Sequence, residues 1–288
     1  MKFGFVTCVR LGLTCMETIY AAGGSLDLVI TLPDDVAPTK AGRVFLDDFC
    51  ESRGIGLLKV SNINDPAVVN AVADAGIDWL FVIGWSQIAR RPVLDAPSAG
   101  VIGMHPTLLP EGRGRAAIPW AILKGLSVTG VTMFQLDEGV DTGPIIAQHE
   151  IRLGPDITAT ELYARVERAH SLLLAQTWYD LAADRLTPRP QDLRAGSSWP
   201  GRRPEDGQIF PEMAVEEALR LVRATTRPYP GAYWHDEGRI LRVWAAAPRQ
   251  AGSTRPTFQL ADGVIEALAF DIEAAKPIAG PTLSVSTR

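Results

Sequence analysis

Two side chains in the middle of the chain are suited to moving protons. His105 stands directly before Pro106, at the end of an apolar stretch that reads as a β-strand. Proline removes a backbone donor and fixes its own φ, so the chain must turn there. A histidine at the carboxyl edge of a sheet is placed to take or give a proton near neutral pH. Asp141 lies inside Gly139-Val140-Asp141-Thr142-Gly143, a glycine-bounded loop on which backbone can approach a ligand closely. Taken singly, each has an ordinary alternative, a hydrogen-bonded structural histidine and a turn aspartate. Both belong to one stretch, Gly103 to Gln148, which also carries Thr107, Arg113 and Arg115. The two arginines flank Gly114 and can meet a phosphate or carboxylate through paired hydrogen bonds; the alternative is a solvated pair.

The elements that must position these residues read as alternating strands and helices. Phe3 to Thr7, Leu26 to Thr31, Leu57 to Val60, Trp79 to Gly84 and Gly100 to Gly103 have strand character. Met16 to Ala22, Ala41 to Arg53 and Pro66 to Ala75 have helical spacing. The alternation predicts a doubly wound, mostly parallel sheet, whose ligand sites lie beyond the carboxyl ends of its strands. Thr158-Ala159-Thr160-Glu161 is a capping box, and Leu162, Val166, Ala169 and Leu173 then recur on one helical face. A Pro-, Gly- and Ser-rich stretch follows, read as a linker over 187–201. It separates a first domain, 1–186, from a small β-rich module, 202–288. The module holds a helix at Ala214 to Ala224, strands at Arg239 to Ala247, Thr257 to Leu260 and Val264 to Ile272, and a hairpin turn at Asp262-Gly263.

Composition narrows the function classes. The 288 residues carry 28 Lys+Arg and 33 Asp+Glu, a formal charge of −5, with 47% hydrophobic residues. That balance excludes a chain dominated by disorder, and no apolar run approaches a membrane-spanning length. From Gly201 onward 11 basic side chains face 11 acidic ones, and only five lysines occur in all, so a nucleic-acid partner is disfavoured. Three cysteines, Cys8, Cys15 and Cys50, form no CxxC pair, which points to a reducing, cytoplasmic setting. No group of residues has metal-ligand spacing, so no metal is expected. Dinucleotide and P-loop glycine motifs are absent, which disfavours a nicotinamide-dependent redox enzyme or an NTPase. His149 and His170 read as structural.

Five linked pieces of the central stretch, His105, Thr107-Leu108-Leu109-Pro110, Arg113-Gly114, Thr129-Gly130-Val131-Thr132 and Gly139-Val140-Asp141-Thr142-Gly143, occur in one order and spacing. In this the chain resembles the folate-dependent formyltransferase family, and the likeness continues at Gly201 to Gly207 and Arg227 to Ala232, the latter closest in form to the sugar N-formyltransferases. The resemblance implies a Rossmann-like catalytic domain and transfer of a formyl group from 10-formyltetrahydrofolate to an amine. It implies catalytic roles for His105 and Asp141, with the identity of the base open. It places Trp85, Ile88, Gly139, Val140 and Asp141 beside the folate, and Thr107, Arg113 and Arg115 beside the acceptor.

One position departs from the pattern. The family's catalytic Asn lies two residues before the His, where this chain has Gly103. Loss of one donor to a developing oxyanion costs about 10²–10³ in rate. Ser86, Gln87 or Thr107 could replace it, water could fill the space, or the protein could have left formyl transfer for folate binding or other one-carbon chemistry. The leading expectation is formylation of an amino sugar or comparable small amine; hydroxyornithine and methionyl-tRNA are the other acceptors considered. Oligomeric state, a homodimer included, is open.

Overall fold

The computed structural model describes residues 1–39 and 42–274. They form two compact units, Met1–Arg202 and Arg203 onward. The first contains β1 (Phe3–Val6), α1 (Arg10–Ala21), β2 (Leu28–Thr31), α2 (Asp47–Glu51), β3 (Gly56–Lys59), α3 (Pro66–Ala75), β4 (Trp79–Val82), α4 (Arg91–Leu94), β5 (Gly100–His105), β6 (Arg113–Gly114), α5 (Ala117–Leu123), β7 (Val128–Gln135), β8 (Ile145–Arg152), α6 (Ala159–Ala182) and β9 (Ser198–Trp199). Among the described residues its main sheet has seven strands in the order β3-β2-β1-β4-β5-β7-β8. Pairing is parallel from β3 through β5 and antiparallel at β5–β7 and β7–β8. This is the doubly wound, mostly parallel architecture expected from the sequence.

Local chemistry accounts for the helices. Asp65 caps α3 by accepting from the Ala67 N–H, Pro66 occupies the first turn, and Gly76 ends the helix at φ 64°. Thr158 and Glu161 close the capping box of α6, and Leu162, Val166, Ala169 and Leu173 are all buried. The center of the sheet is sealed by Phe5 and Phe81, paired in register and stacked at 5.6 Å between centroids.

Several boundaries differ from the sequence expectation. Helix α1 begins at Arg10 rather than Met16, because packing against α6 overrides the weak helix propensity of Gly12 and Thr14. The helix expected over Ala41 to Arg53 is reduced to α2, and Ala41 itself lies outside the described residues. Strand β5 runs on to His105, where it pairs with Thr132 of β7. The stretch read as a linker, 187–201, is a correction as well: it belongs to the first unit, with β9 pairing β6 and a two-way bridge between Ile145 and Arg189.

The second unit holds α7 (Val215–Thr225), β10 (Ala232–Asp236), β11 (Arg239–Pro248), β12 (Thr257–Leu260) and β13 (Gly263–Ala274). Among the described residues they make a four-stranded antiparallel sheet, β10-β11-β13-β12. The hairpin is shifted by one residue: Leu260 pairs with Gly263, so Ala261 and Asp262 make the turn. The Asp262 carboxylate accepts from the Val215 N–H at the start of α7.

Candidate active site

His105 ends β5 with its side chain 9% exposed. Its Nε2 lies 2.8 Å from the Gly112 carbonyl oxygen. A carbonyl only accepts, so Nε2 carries the hydrogen and Nδ1 is bare in the neutral ring. Nδ1 faces Asp141 Oδ2 at 3.5 Å. That is too long for a good hydrogen bond, as befits two acceptors facing each other. A proton arriving on Nδ1 converts the pair into an imidazolium beside a carboxylate. The same Oδ2 accepts from the Gly114 N–H at 2.8 Å. Asp141 itself sits at φ 54°, a left-handed conformation unusual for a side-chain-bearing residue.

The turn after His105 is fixed from β7. Thr132 donates to the Thr107 carbonyl (2.7 Å) and accepts from the Leu109 N–H (3.0 Å). Gln148 donates to the Leu109 carbonyl and to the Thr132 hydroxyl.

At position 103 the space is filled by hydrocarbon. Gly103 is buried, and a Cβ built there would lie 2.6 Å from Leu136 Cδ2. Leu136 packs with Leu109, Phe134 and Ile145. The Leu136 side chain thus occupies the space next to Gly103 that a Cβ would enter. The Gln87 side chain is engaged locally: its carbonyl accepts from the Ile63 N–H and from Trp85 Nε1, and its amide donates to the Ser61 carbonyl. Ser86 is exposed. The Thr107 hydroxyl is buried without a hydrogen-bond partner among the described residues. Thr107 also borders a cavity of about 360 Å³ with Leu108, Leu126, Val128 and Trp199.

The remaining expected site residues divide. Ile88 and Val140 are large apolar side chains left 65% and 52% exposed, while Trp85 is partly packed against the core. Gly139 is exposed, on a loop where Asp137 ties back to the Gly139 N–H and the Thr142 hydroxyl. Arg115 is exposed. Arg113 is buried, and its guanidinium donates to Gln191 Oε1 (3.1 Å from Nη2) and to the Asp192 carbonyl.

Gln191 and Ser197 were not legible as site residues. Gln191 Nε2 donates to the carbonyls of Asp141 (2.9 Å) and Gly143 (2.7 Å). Ser197 accepts from the Gly112 N–H (3.1 Å) and donates to Glu111. Their Pro- and Ser-rich surroundings gave a loop signal and nothing more. His170 is fully buried on α6, where Nδ1 donates to the Val166 carbonyl at 2.7 Å; burial pushes its pKa down to about 4, against the raising effect of that hydrogen bond. Among the described residues no three His, Cys, Asp or Glu side chains are grouped to hold a metal ion, and no helix is long and apolar enough to cross a membrane.

Comparison with known proteins bears on the whole chain. Residues 25–177 match the formyl transferase family and residues 202–269 its C-terminal domain. The methionyl-tRNA formyltransferase of Agathobacter rectalis is 32% identical over 250 residues, covering 85% of this chain and 80% of that protein. That of Chloroflexus aurantiacus is 30% identical over 305 residues, covering 97% and 95%. Among solved structures, the N-formyltransferase from Helicobacter canadensis in complex with folinic acid and dTDP-3-aminofucose superposes with a TM-score of 0.69 at 16% identity, covering 96% of this chain and 99% of that one. The methionyl-tRNA formyltransferase from Clostridium thermocellum superposes at 0.60 and 17% identity, covering 95% and 98%.

Proposed function

The chain belongs to the formyl transferase family, whose members are enzymes that transfer formyl groups, and from that premise we propose that it moves a formyl group from 10-formyltetrahydrofolate to the amine of a small acceptor, an amino sugar or a comparable secondary-metabolite amine. The observation that carries this reading is His105 turning Nε2 to the Gly112 carbonyl and Nδ1 to Asp141 Oδ2. An amine must lose a proton as it attacks a formyl carbon. His105 Nδ1 takes that proton, Asp141 stabilises the imidazolium that results, and the proton passes on to N10 of the tetrahydrofolate as the bond from N10 to the formyl carbon breaks. Gly114 holds the carboxylate in place through its N–H.

The residues present suit the formyl donor. Ile88 and Val140 leave apolar surface uncovered, which favours a flat ring system over a purely ionic ligand. The cavity beside Thr107 gives the acceptor room within two residues of His105. The chain's negative charge, its scarcity of lysine and the balanced charge of its second unit favour a small acceptor over an RNA. None of the three buried cysteines forms a disulfide, which supports a reducing, cytoplasmic setting.

A methionyl-tRNA acceptor is the second reading, favoured by the names of the relatives that are 30% and 32% identical. One experiment separates the two. The protein is incubated with 10-formyltetrahydrofolate and a panel containing nucleotide-linked amino sugars, hydroxyornithine, aminoglycosides, amino acids and charged initiator tRNA, with His105→Ala as control, and products are read by mass spectrometry. A small amine that gains one formyl group only with the native protein is the expected result. Formylation of the tRNA alone replaces the small-acceptor reading. No product from any amine, with folate binding intact, overturns formyl transfer.

A further inference from the structure

Residues 187–201 lie against the site at two places that a connecting segment would not need to reach. At one end, Gln191 grips the Asp141 loop, donating both amide hydrogens to main-chain carbonyls, those of Asp141 and Gly143. Its own carbonyl accepts from the buried guanidinium of Arg113. Arg113 is followed by Gly114, whose N–H holds the Asp141 carboxylate. The contacts close a ring: Asp141 carboxylate, Gly114, Arg113, Gln191 and back to the Asp141 carbonyl. At the other end, Ser197 accepts from the N–H of Gly112, the residue whose carbonyl receives His105 Nε2–H. The fit is tight, since a Cβ on Gly112 would lie 2.8 Å from the Trp199 ring, and one on Gly114 would collide with the Trp199 carbonyl oxygen.

We propose that this segment is a strap that orients the His–Asp pair, with Gln191 the positioning residue for Asp141. The proposal rests on the reading of His105 and Asp141 as the catalytic pair. Asp141 occupies a left-handed backbone conformation that a non-glycine residue leaves readily unless held. Gln191 supplies the hold on the main chain and Gly114 the hold on the carboxylate. Both contacts are made within the chain, so their effect falls on the reaction through the placement of Asp141.

The test is a double-mutant cycle on formyl transfer from 10-formyltetrahydrofolate, using whichever of dTDP-3-aminofucose, hydroxyornithine and the other panel amines the native protein formylates. Gln191→Ala is expected to lower kcat by about 10–100-fold, since a misplacement near 1 Å costs about that much. KM for donor and acceptor should stay within about twofold. In an Asp141→Asn background, Gln191→Ala should add less than about twofold, because its effect passes through the carboxylate already removed. A multiplicative loss in the double variant, or a rise in KM with kcat unchanged, overturns the strap. If Gln191→Ala does not fold, Gln191→Glu takes its place: it keeps the length and the contact with Arg113 but loses both donations. Native kcat in Gln191→Glu overturns the proposal equally. Should Asp141→Asn alone retain native kcat, the catalytic reading itself fails, which is distinct from a slow Asp141→Asn with an unaffected Gln191→Ala.

Discussion

Two clusters of charged groups, one in each unit, are held in opposite ways. On the sheet of the second unit, Arg242 forks onto Glu273 through Nε and Nη2, donates from Nη1 to the Pro230 carbonyl, and lies over the Tyr233 ring. Arg227 stacks on Trp244, whose Nε1 donates to Asp271. In the first unit, His105, Arg113 and His170 are buried against carbonyls and a carboxamide, and the one acid near them, Asp141, is held by a backbone N–H. Cations matched by carboxylates are fixed as charges, with little reason to change state. Held by neutral dipoles, Arg113 stays charged, whereas an imidazole held by a carbonyl through one ring nitrogen keeps its other nitrogen open to a proton. The contrast is between these two clusters, since the first unit also carries carboxylate-paired cations such as Lys59 with Asp34 and Asp47.

That contrast can be broken at five points, from the largest effect to the smallest. His105→Ala should lower kcat by about 10²–10⁴-fold, and loss of its buried hydrogen bond to the Gly112 carbonyl should cost about 1–3 kcal/mol of stability, as checked by steady-state kinetics and urea titration. Gly114→Ala should cost about 3 kcal/mol of stability, since position 114 is at φ 108° and its Cβ would strike backbone, and it should slow turnover by displacing the N–H that holds Asp141.

His170 gives the third. Its folded-state pKa, about 4, lies below the unfolded value near 6.5, so the folded state binds the proton less readily. The stability tied to its neutral form is therefore complete above pH 6.5 and lost as pH falls toward 4, by about 2–3 kcal/mol. Denaturant unfolding at a series of pH values should show this slope in the native protein and lose it in His170→Asn, which retains a donor for the Val166 carbonyl. Fourth, Gly103→Asn should destabilise by about 1–2 kcal/mol through overlap with Leu136, and Leu136→Ala in the same chain should recover part of it. Equal urea midpoints for native and Gly103→Asn would show that Leu136 simply swings aside. Last, Glu273→Gln should cost under about 1 kcal/mol and leave kcat unchanged, because the pair it breaks is partly exposed. A large loss of turnover there would erase the distinction between the two clusters.

Much of the architecture was written locally. The strand runs, the Thr158–Glu161 capping box and the buried stripe of α6 follow from spacing that a few neighbouring residues specify. Boundaries were less legible where distant packing competes with propensity, as at α1, which extends two turns toward Arg10 against Gly12 and Thr14. Glycine at position 103 was visible as a departure, but a one-letter code does not say what occupies the vacated volume.

The sequence by itself determined the first five strands, the buried stripe of α6, and the place of His105 and Asp141 in a linked set of motifs, because these rest on periodicity and on spacing along the chain. Only the tertiary structure decided that Leu136 fills the space at Gly103, that Arg113 turns to Gln191, and that a stretch read as a linker meets Asp141 through Gln191 and Gly112 through Ser197. Gln191 reaches Asp141 across fifty residues of chain, and Ser197 reaches Gly112 across eighty-five. Contacts of that kind depend on how close two backbones pass, and no local pattern encodes that distance.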